Sequence, residues 1–343
     1  MRSVRGVLAV SCGYAAAVIG AGFASGQEIV SFFARYGRAG MVGIITACAV
    51  FALFSYAVLT VCVKEGITGY GGFIDAVFKS AFMRKITEFS ALICAAACLC
   101  VMTACAGETG KVLFGVREVT GAAVFSALLC VIFLLDGRKI MDINASLGAV
   151  IIFGIIFCCF YILRFREHQT FFQNTRAAVS GLAYAGYNLI SAGTVLACSA
   201  GRLKTRADTA SASAASGIIL FIMITLIWGV LGIYYGKINL GSLPMLTMAF
   251  RQNNVLGVFY GVMLLAAVLT TGISNGFAVI DLLGERLPKR LLAFLTPMLG
   301  FCMSGAGFAR LVDVLYRICG YGGAVLVFVI IIKSLIWLKN REK

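Results

Sequence analysis

Glu28 is the carboxylate whose setting invites chemistry in a chain that is 61% hydrophobic and only 13% charged. It stands two residues after the run Gly20-Ala21-Gly22-Phe23-Ala24-Ser25-Gly26. About six residues, or roughly 9 Å at helical rise, separate it from the end of its apolar segment. An acid at that depth faces protein or water, not lipid. Three roles are open to it: binding a substrate amine, carrying a proton, or pairing with a base or capping exposed amides. Gln27 shares that role or faces a neighbouring helix. Two further polar groups sit deep in apolar stretches. One is Tyr184, Tyr187 and Asn188 in a glycine-rich run beginning at Gly181, followed by Ser191 and Gly193; the other is Thr270, Thr271 and Ser274, followed by Asn275.

The elements that must position these groups are membrane helices. A soluble domain is roughly 45–50% apolar and about 25% charged, so a mean hydropathy of +0.99 excludes one. Crossing a hydrocarbon core takes roughly 20 residues. Ten apolar spans account for nearly the whole chain, at about 7–34, 40–63, 87–107, 119–135, 142–163, 177–198, 213–235, 255–280, 290–304 and 312–338. The expected class is an all-α polytopic membrane protein. Arg2 and Arg5 precede the first apolar run, and Ala9-Val10-Ser11-Cys12 resembles a lipoprotein cleavage site. The apolar stretch before Cys12 is nevertheless too short for a signal peptide and continues past it, so a retained membrane helix is expected.

Net charge is +15, which in a soluble chain would suggest nucleic acid; in a polytopic one the informative quantity is the distribution between alternate loops. With both termini cytoplasmic, eighteen Lys and Arg fall inside and eleven outside, with Arg164, Arg166 and Arg176 clustered on the outer side. This favours N-in and C-in, in the bacterial cytoplasmic (inner) membrane, with the lipid bilayer as partner and no nucleic acid. The thirteen cysteines read as small buried hydrophobes rather than disulfide or metal sites, since they lie within apolar spans, Cys94, Cys98 and Cys105 among them. There is no His–Glu metal pattern, the one Gly-x-Ser-x-Gly (Gly272 to Gly276) lies inside an apolar span, and the single His168 falls in a loop, so no enzyme is expected.

Ten spans divide into five and five, 1–165 and 170–343, and the first span of each half is the glycine-interrupted one. An odd number of spans per half gives two halves of opposite orientation, an inverted repeat. The long connections at 64–86 and 236–254 agree, each with a short amphipathic stretch (Phe73 to Phe78 and Leu243 to Met248). Breaks at matching positions of inverted halves point to a transporter's substrate site, because unwound backbone is tolerated in a membrane only where it lines a cavity. Packing glycines and back-bonded hydroxyls are the ordinary alternatives. The spans centred near Gly20, Tyr187 and Ala267 place all three polar segments near one depth.

The stretch Val18-Ile19-Gly20-Ala21-Gly22-Phe23-Ala24-Ser25-Gly26-Gln27-Glu28 resembles the opening of the YkvI-like bacterial membrane proteins, distant members of the amino acid–polyamine–organocation superfamily with the LeuT fold. The resemblance implies alternating access between a bundle (helices 1, 2, 6 and 7) and a scaffold (helices 3, 4, 8 and 9), with helices 5 and 10 as gates. It also implies broken helices 1 and 6. In sodium-coupled members a cation site joins carbonyls before the helix 1 break to two hydroxyl residues of helix 8. The matching positions are Ala16 and Ile19 with Ala267, Thr270 and Thr271. The helix 1 asparagine of members with a second sodium site is absent.

Unwinding frees N–H groups at the start of one half-helix and C=O groups at the end of the other. The first suit a carboxylate and the second a cation. Gly20, Gly22, Phe23, Ser25, Gly26, Glu28, Tyr184, Tyr187 and Asn188 are therefore the expected substrate contacts. The expected activity is secondary transport of a small organic solute, an amino acid or related amine, coupled to sodium or protons, with no other cofactor. A non-transporting ligand sensor on the same fold is the alternative.

Overall fold

The computed structural model describes residues 4–135, 140–163, 176–284 and 286–341, with the backbone alone for 140–149. The side chain of Asp142, the Arg164–His168 loop and the boundary between the two expected halves lie outside that description. The described chain is almost wholly helical, as a bilayer requires: a helix satisfies every backbone donor and acceptor within itself.

The first span is three pieces, α1 (Val4–Val18), α2 (Ala21–Ser25) and α3 (Gln27–Phe32). A 3-10 turn (Ala34–Ala39) leads into α4 (Gly40–Glu65). Next come the short α5 (Tyr70–Phe78), the long α6 (Ala81–Phe114), α7 (Glu118–Leu134) and α8 (Ile140–Leu163). The second half has α9 (Ala177–Ser199), α10 (Arg206–Tyr234), the short α11 (Pro244–Gln252), α12 (Asn254–Leu283) and α13 (Lys289–Ser304). It closes with α14 (Phe308–Leu311), a π-turn (Val312–Tyr316) and α15 (Arg317–Asn340). The two amphipathic stretches in the long connections are α5 and α11. Among the described residues five helical segments are long and apolar enough to cross a bilayer, at Ala34–Glu65, α6, α10, α12 and Phe308–Asn340. Shorter apolar helices lie at α1, α7 and Val150–Leu163.

Helix starts are written locally. Thr205 and Asp208 form a reciprocal capping box at the head of α10, and the Asn253 side chain accepts from Leu256 N–H at 2.7 Å to open α12. Large apolar side chains point outward on α7, α8, α12 and α15, with Phe153 72%, Val255 81% and Phe328 65% exposed. Water would not tolerate such a surface, and lipid does. Inside, α9 packs against α4, α15 and α1, while α6 packs against α7, α12 and α13.

The structure corrects one expectation. The sixth span is continuous: α9 runs unbroken from Ala177 to Ser199 through Gly181, Gly186 and Gly193. Its glycines serve close packing. A Cβ on Gly186 would strike Gly320 O and Ala324 N, one on Gly320 would strike Ala183 O, and one on Gly181 would strike Gly43 O. Small residues that bring helix backbones together need no unwinding.

Candidate functional site

The interruption in the first span is built from backbone. Gly20 N–H would close on Ala16 O in a continuous helix, but it donates to Val18 O at 3.0 Å, and Gly20 is extended (φ −91°, ψ −171°). A second bend follows at Gly26, whose φ of +82° is a left-handed conformation that L side chains rarely adopt. Ser25 Oγ fastens this bend, donating to Gly22 O at 2.7 Å and accepting from Gln27 N–H at 3.1 Å. Met245 of α11 and Leu231 of α10 close over Gly26, leaving no room for a Cβ there. From α12, the Tyr260 hydroxyl donates to Ala24 O at 2.6 Å.

The bends turn Glu28 inward, where it is 4% exposed. Its Oε2 accepts a hydrogen bond from the Tyr187 hydroxyl, and its Oε1 fills the space that a side chain on Gly22 would need. None of the salt bridges among the described residues includes Glu28. A hydrogen bond to a charged group contributes about 1.5–3 kcal/mol. The effective penalty for burying an ion unpaired is several kcal/mol. Tyr187 alone therefore does not offset an ionised Glu28, and the site is completed by a bound cation or by a proton.

Aromatic rings wall this carboxylate. Tyr187 stacks on Tyr316 at 4.5 Å between centroids and on Phe32 at 5.9 Å. Tyr184 meets Phe32, Phe33, Phe51 and Tyr187 at 5.5, 4.9, 6.0 and 5.6 Å. The Tyr184 hydroxyl is buried without a hydrogen-bond partner. Beyond Tyr316, Cys98 Sγ lies 3.5 Å from its hydroxyl, so the cluster reaches α6 through the stacked pair of rings.

On the opposite side of the break, α12 lies against Gly20: a Cβ placed there would be 3.7 Å from Thr271 Oγ1. Thr270 Oγ1 donates to Ala267 O at 3.1 Å, and Asn275 Nδ2 donates to Thr271 O at 2.9 Å. Gly20 and Thr271 are thus neighbours across 251 positions of sequence, and Ala16 O has lost its helical donor beside them.

Of the residues singled out by sequence, the structure joins Gly22, Glu28, Tyr184 and Tyr187 in one cluster and Gly20 with Thr271 in a second. Ser25 and Gly26 form the bend itself. Asn188 is turned onto its own helix, with Nδ2 donating to Tyr184 O at 3.0 Å. Phe23 is fully buried, and the ring against both tyrosines is Phe32. Phe32 and Tyr316 carry no mark of a site in the sequence and Cys98 reads there as a packing residue; only the fold brings α3, the π-turn and α6 together.

Comparison with known proteins agrees with this architecture. No protein-family model matches the chain. It is 22% identical over 321 residues to the membrane protein YkvI of Bacillus subtilis (strain 168), covering 90% of both chains. It is also 22% identical over 307 residues to protein YyaD of the same organism, covering 88% of this chain and 89% of that one. Among solved structures, the Eremococcus coleocola manganese transporter superposes with a TM-score of 0.61 at 16% identity, covering 96% of this chain and 78% of that one. A Na+-coupled sialic acid symporter gives 0.59 at 13% identity, covering 95% and 77%. Mhp1, a nucleobase-cation-symport-1 family transporter, gives 0.57 at 14% identity with the same coverage. These three solved structures are of transporters, not enzymes. The chain is thus a multi-pass membrane protein that resembles YkvI over nearly its whole length and has the fold of cation-coupled transporters.

Proposed function

We propose that the protein is a secondary active transporter of a small nitrogen-bearing organic solute, an amino acid or related amine, working by alternating access and coupled to sodium or protons. The observation that carries this reading is the pairing of Glu28 with Tyr187 inside a ring of aromatic side chains, next to a broken first helix. Glu28 lacks a salt-bridge partner among the described residues, and a solute's cationic nitrogen supplies one. The names of two structural neighbours, a Na+-coupled symporter and a cation symporter, support coupling to a cation. For the coupling ion the reading assigns the carbonyls of Ala16 and Ile19 with Ala267, Thr270 and Thr271.

In this reading residues 1–165 and 170–343 are inverted five-helix repeats in the bacterial inner membrane, with both termini inside. The single broken helix is enough for the mechanism. The α1 end offers carbonyl oxygens to an ion, and the second bend aims Glu28 at the solute. The test is uptake by purified protein in liposomes, across a panel of amino acids and amines, with an imposed sodium or proton gradient. Accumulation that collapses with the gradient is expected. Failure of every solute to accumulate under either gradient overturns the reading.

A further inference from the structure

We infer that the solute is an amine carrying no free carboxylate, an organic ammonium rather than an amino acid zwitterion. The inference rests on the proposed solute site at Glu28 and goes further by asking what charge that site has room for.

The protein already supplies one carboxylate to this cluster. The bend at Gly26 brings Glu28 Oε1 into the space beside Gly22. Among the described residues no salt bridge brings a base onto Glu28. The guanidinium of Arg317 lies 5.7 Å above the Phe32 ring. It is taken up by Asp313 at 2.9 Å and by Ser31 O at 2.8 Å, with Phe32 between it and the tyrosines. The remaining wall is aromatic: Phe32, Tyr187 and Tyr316 form a stack beside the carboxylate. Ring faces attract a cation and offer nothing to an anion. One group is left for the rest of the molecule, the buried Tyr184 hydroxyl without a partner. A zwitterion that paired its ammonium with Glu28 would leave its own carboxylate against the aromatic wall with no base to receive it. A simple ammonium pairs with Glu28 directly.

The experiment compares amino acids with the amines left when their carboxylate is removed: tyrosine with tyramine, lysine with cadaverine, and valine with isobutylamine. Binding to the full chain in detergent is read by thermal stabilisation and calorimetry, and uptake is read in liposomes. At least one amine is expected to bind on the order of 100-fold more tightly than its amino acid, and Glu28→Gln to weaken that amine by on the order of 30-fold or more. Because the paired comparison is made on the unaltered protein, it stands even where the variant does not fold. Equal or tighter binding of the amino acids, or no binding by any of the amines, overturns the inference. Gradient-driven uptake of amino acids alone overturns it while leaving the transport reading intact. Amine binding without uptake of any solute upholds it and overturns transport instead.

Discussion

Arg35 and Asp313, 278 positions apart in sequence, meet in an ion pair of 3.0 Å, and Arg317 shares the same carboxylate oxygen at 2.9 Å. Arg317 also donates to Ser31 O, so one cluster ties the end of α3 to the π-turn that opens α15. The sequence spacing shows the Asp313–Arg317 pair at i, i+4, but Arg35 belongs to the other half of the chain. The cluster lies a few residues beyond Glu28 and Tyr316, on the α3 side of the candidate site.

This cluster should hold α3 against the π-turn. Exposed ion pairs contribute about 0.2–1 kcal/mol, so Arg35→Ala, at a side chain 36% exposed, is expected to cost little. Asp313→Asn loosens two guanidiniums at once and should cost more, on the order of 1–3 kcal/mol of local closure. Hydrogen exchange across residues 26–33 checks this. Faster exchange in Asp313→Asn than in Arg35→Ala is expected, and equal exchange in both would show that the cluster fastens nothing.

The glycines of α9 divide from those in open surroundings. Gly186 and Gly320 meet backbone atoms that cannot swing aside, whereas Gly13 of α1 and Gly229 of α10 have nothing within 4 Å of a built Cβ. Gly186→Ala should therefore destabilise the protein by about 1–3 kcal/mol through overpacking. Gly13→Ala and Gly229→Ala should stabilise it by about 0.5–1 kcal/mol through lower unfolded-state entropy. Thermal denaturation of the three variants in one detergent distinguishes the signs.

These two classes of glycine mark where the sequence was legible. Hydropathy placed the helical stretches, because lipid demands long apolar helices and little else. It also found Glu28, since an acid in such a stretch stands out. It could not tell the glycines of α9, which let Gly43, Gly320 and Gly323 approach, from Gly20 and Gly26, which bend the chain. Composition is alike in the two runs, and what differs is the partner helix, α4 and α15 in one case and α10, α11 and α12 in the other. The aromatic wall was half visible for the same reason. Tyr184 and Tyr187 are polar enough to be noticed in a membrane span, while Phe32 looks like any lipid-facing residue until α9 is packed on it. Ser180 Oγ donates to Phe32 O at 2.8 Å and helps hold that arrangement.

Thr271 provides the test of sodium coupling. Its hydroxyl faces the Gly20 break next to the carbonyl that Ala16 frees. An ion held there at a hundred times its dissociation constant stabilises the fold by about 2.7 kcal/mol. Replacing potassium by sodium should raise the melting temperature of the unaltered protein, and Thr271→Ala should abolish the difference. Thr270→Ala is expected to lower the difference as well, because donating its proton to Ala267 O leaves the lone pairs of the Thr270 oxygen for the ion. An unchanged sodium response in Thr271→Ala would remove this residue from the ion's coordination.

Gly22→Ala asks whether the placement of Glu28, rather than its charge alone, makes the site. The new methyl would occupy the position of Glu28 Oε1 and push the carboxylate out of line with Tyr187. The acid, the phenol and the aromatic wall all remain. Loss of a charge-assisted hydrogen bond of about 1.5–3 kcal/mol corresponds to a roughly 10- to 150-fold weaker hold on a cationic solute. Tyr187→Phe removes the same bond but keeps the ring stacked between Phe32 and Tyr316, so it should give a loss of similar size. Combining the two should add little, because a bond already broken cannot be broken again. Solute affinity measured for the two single variants and the double variant settles the point. Fully additive losses would mean that Gly22 and Tyr187 act on the solute separately and that the Glu28–Tyr187 bond is not what they share.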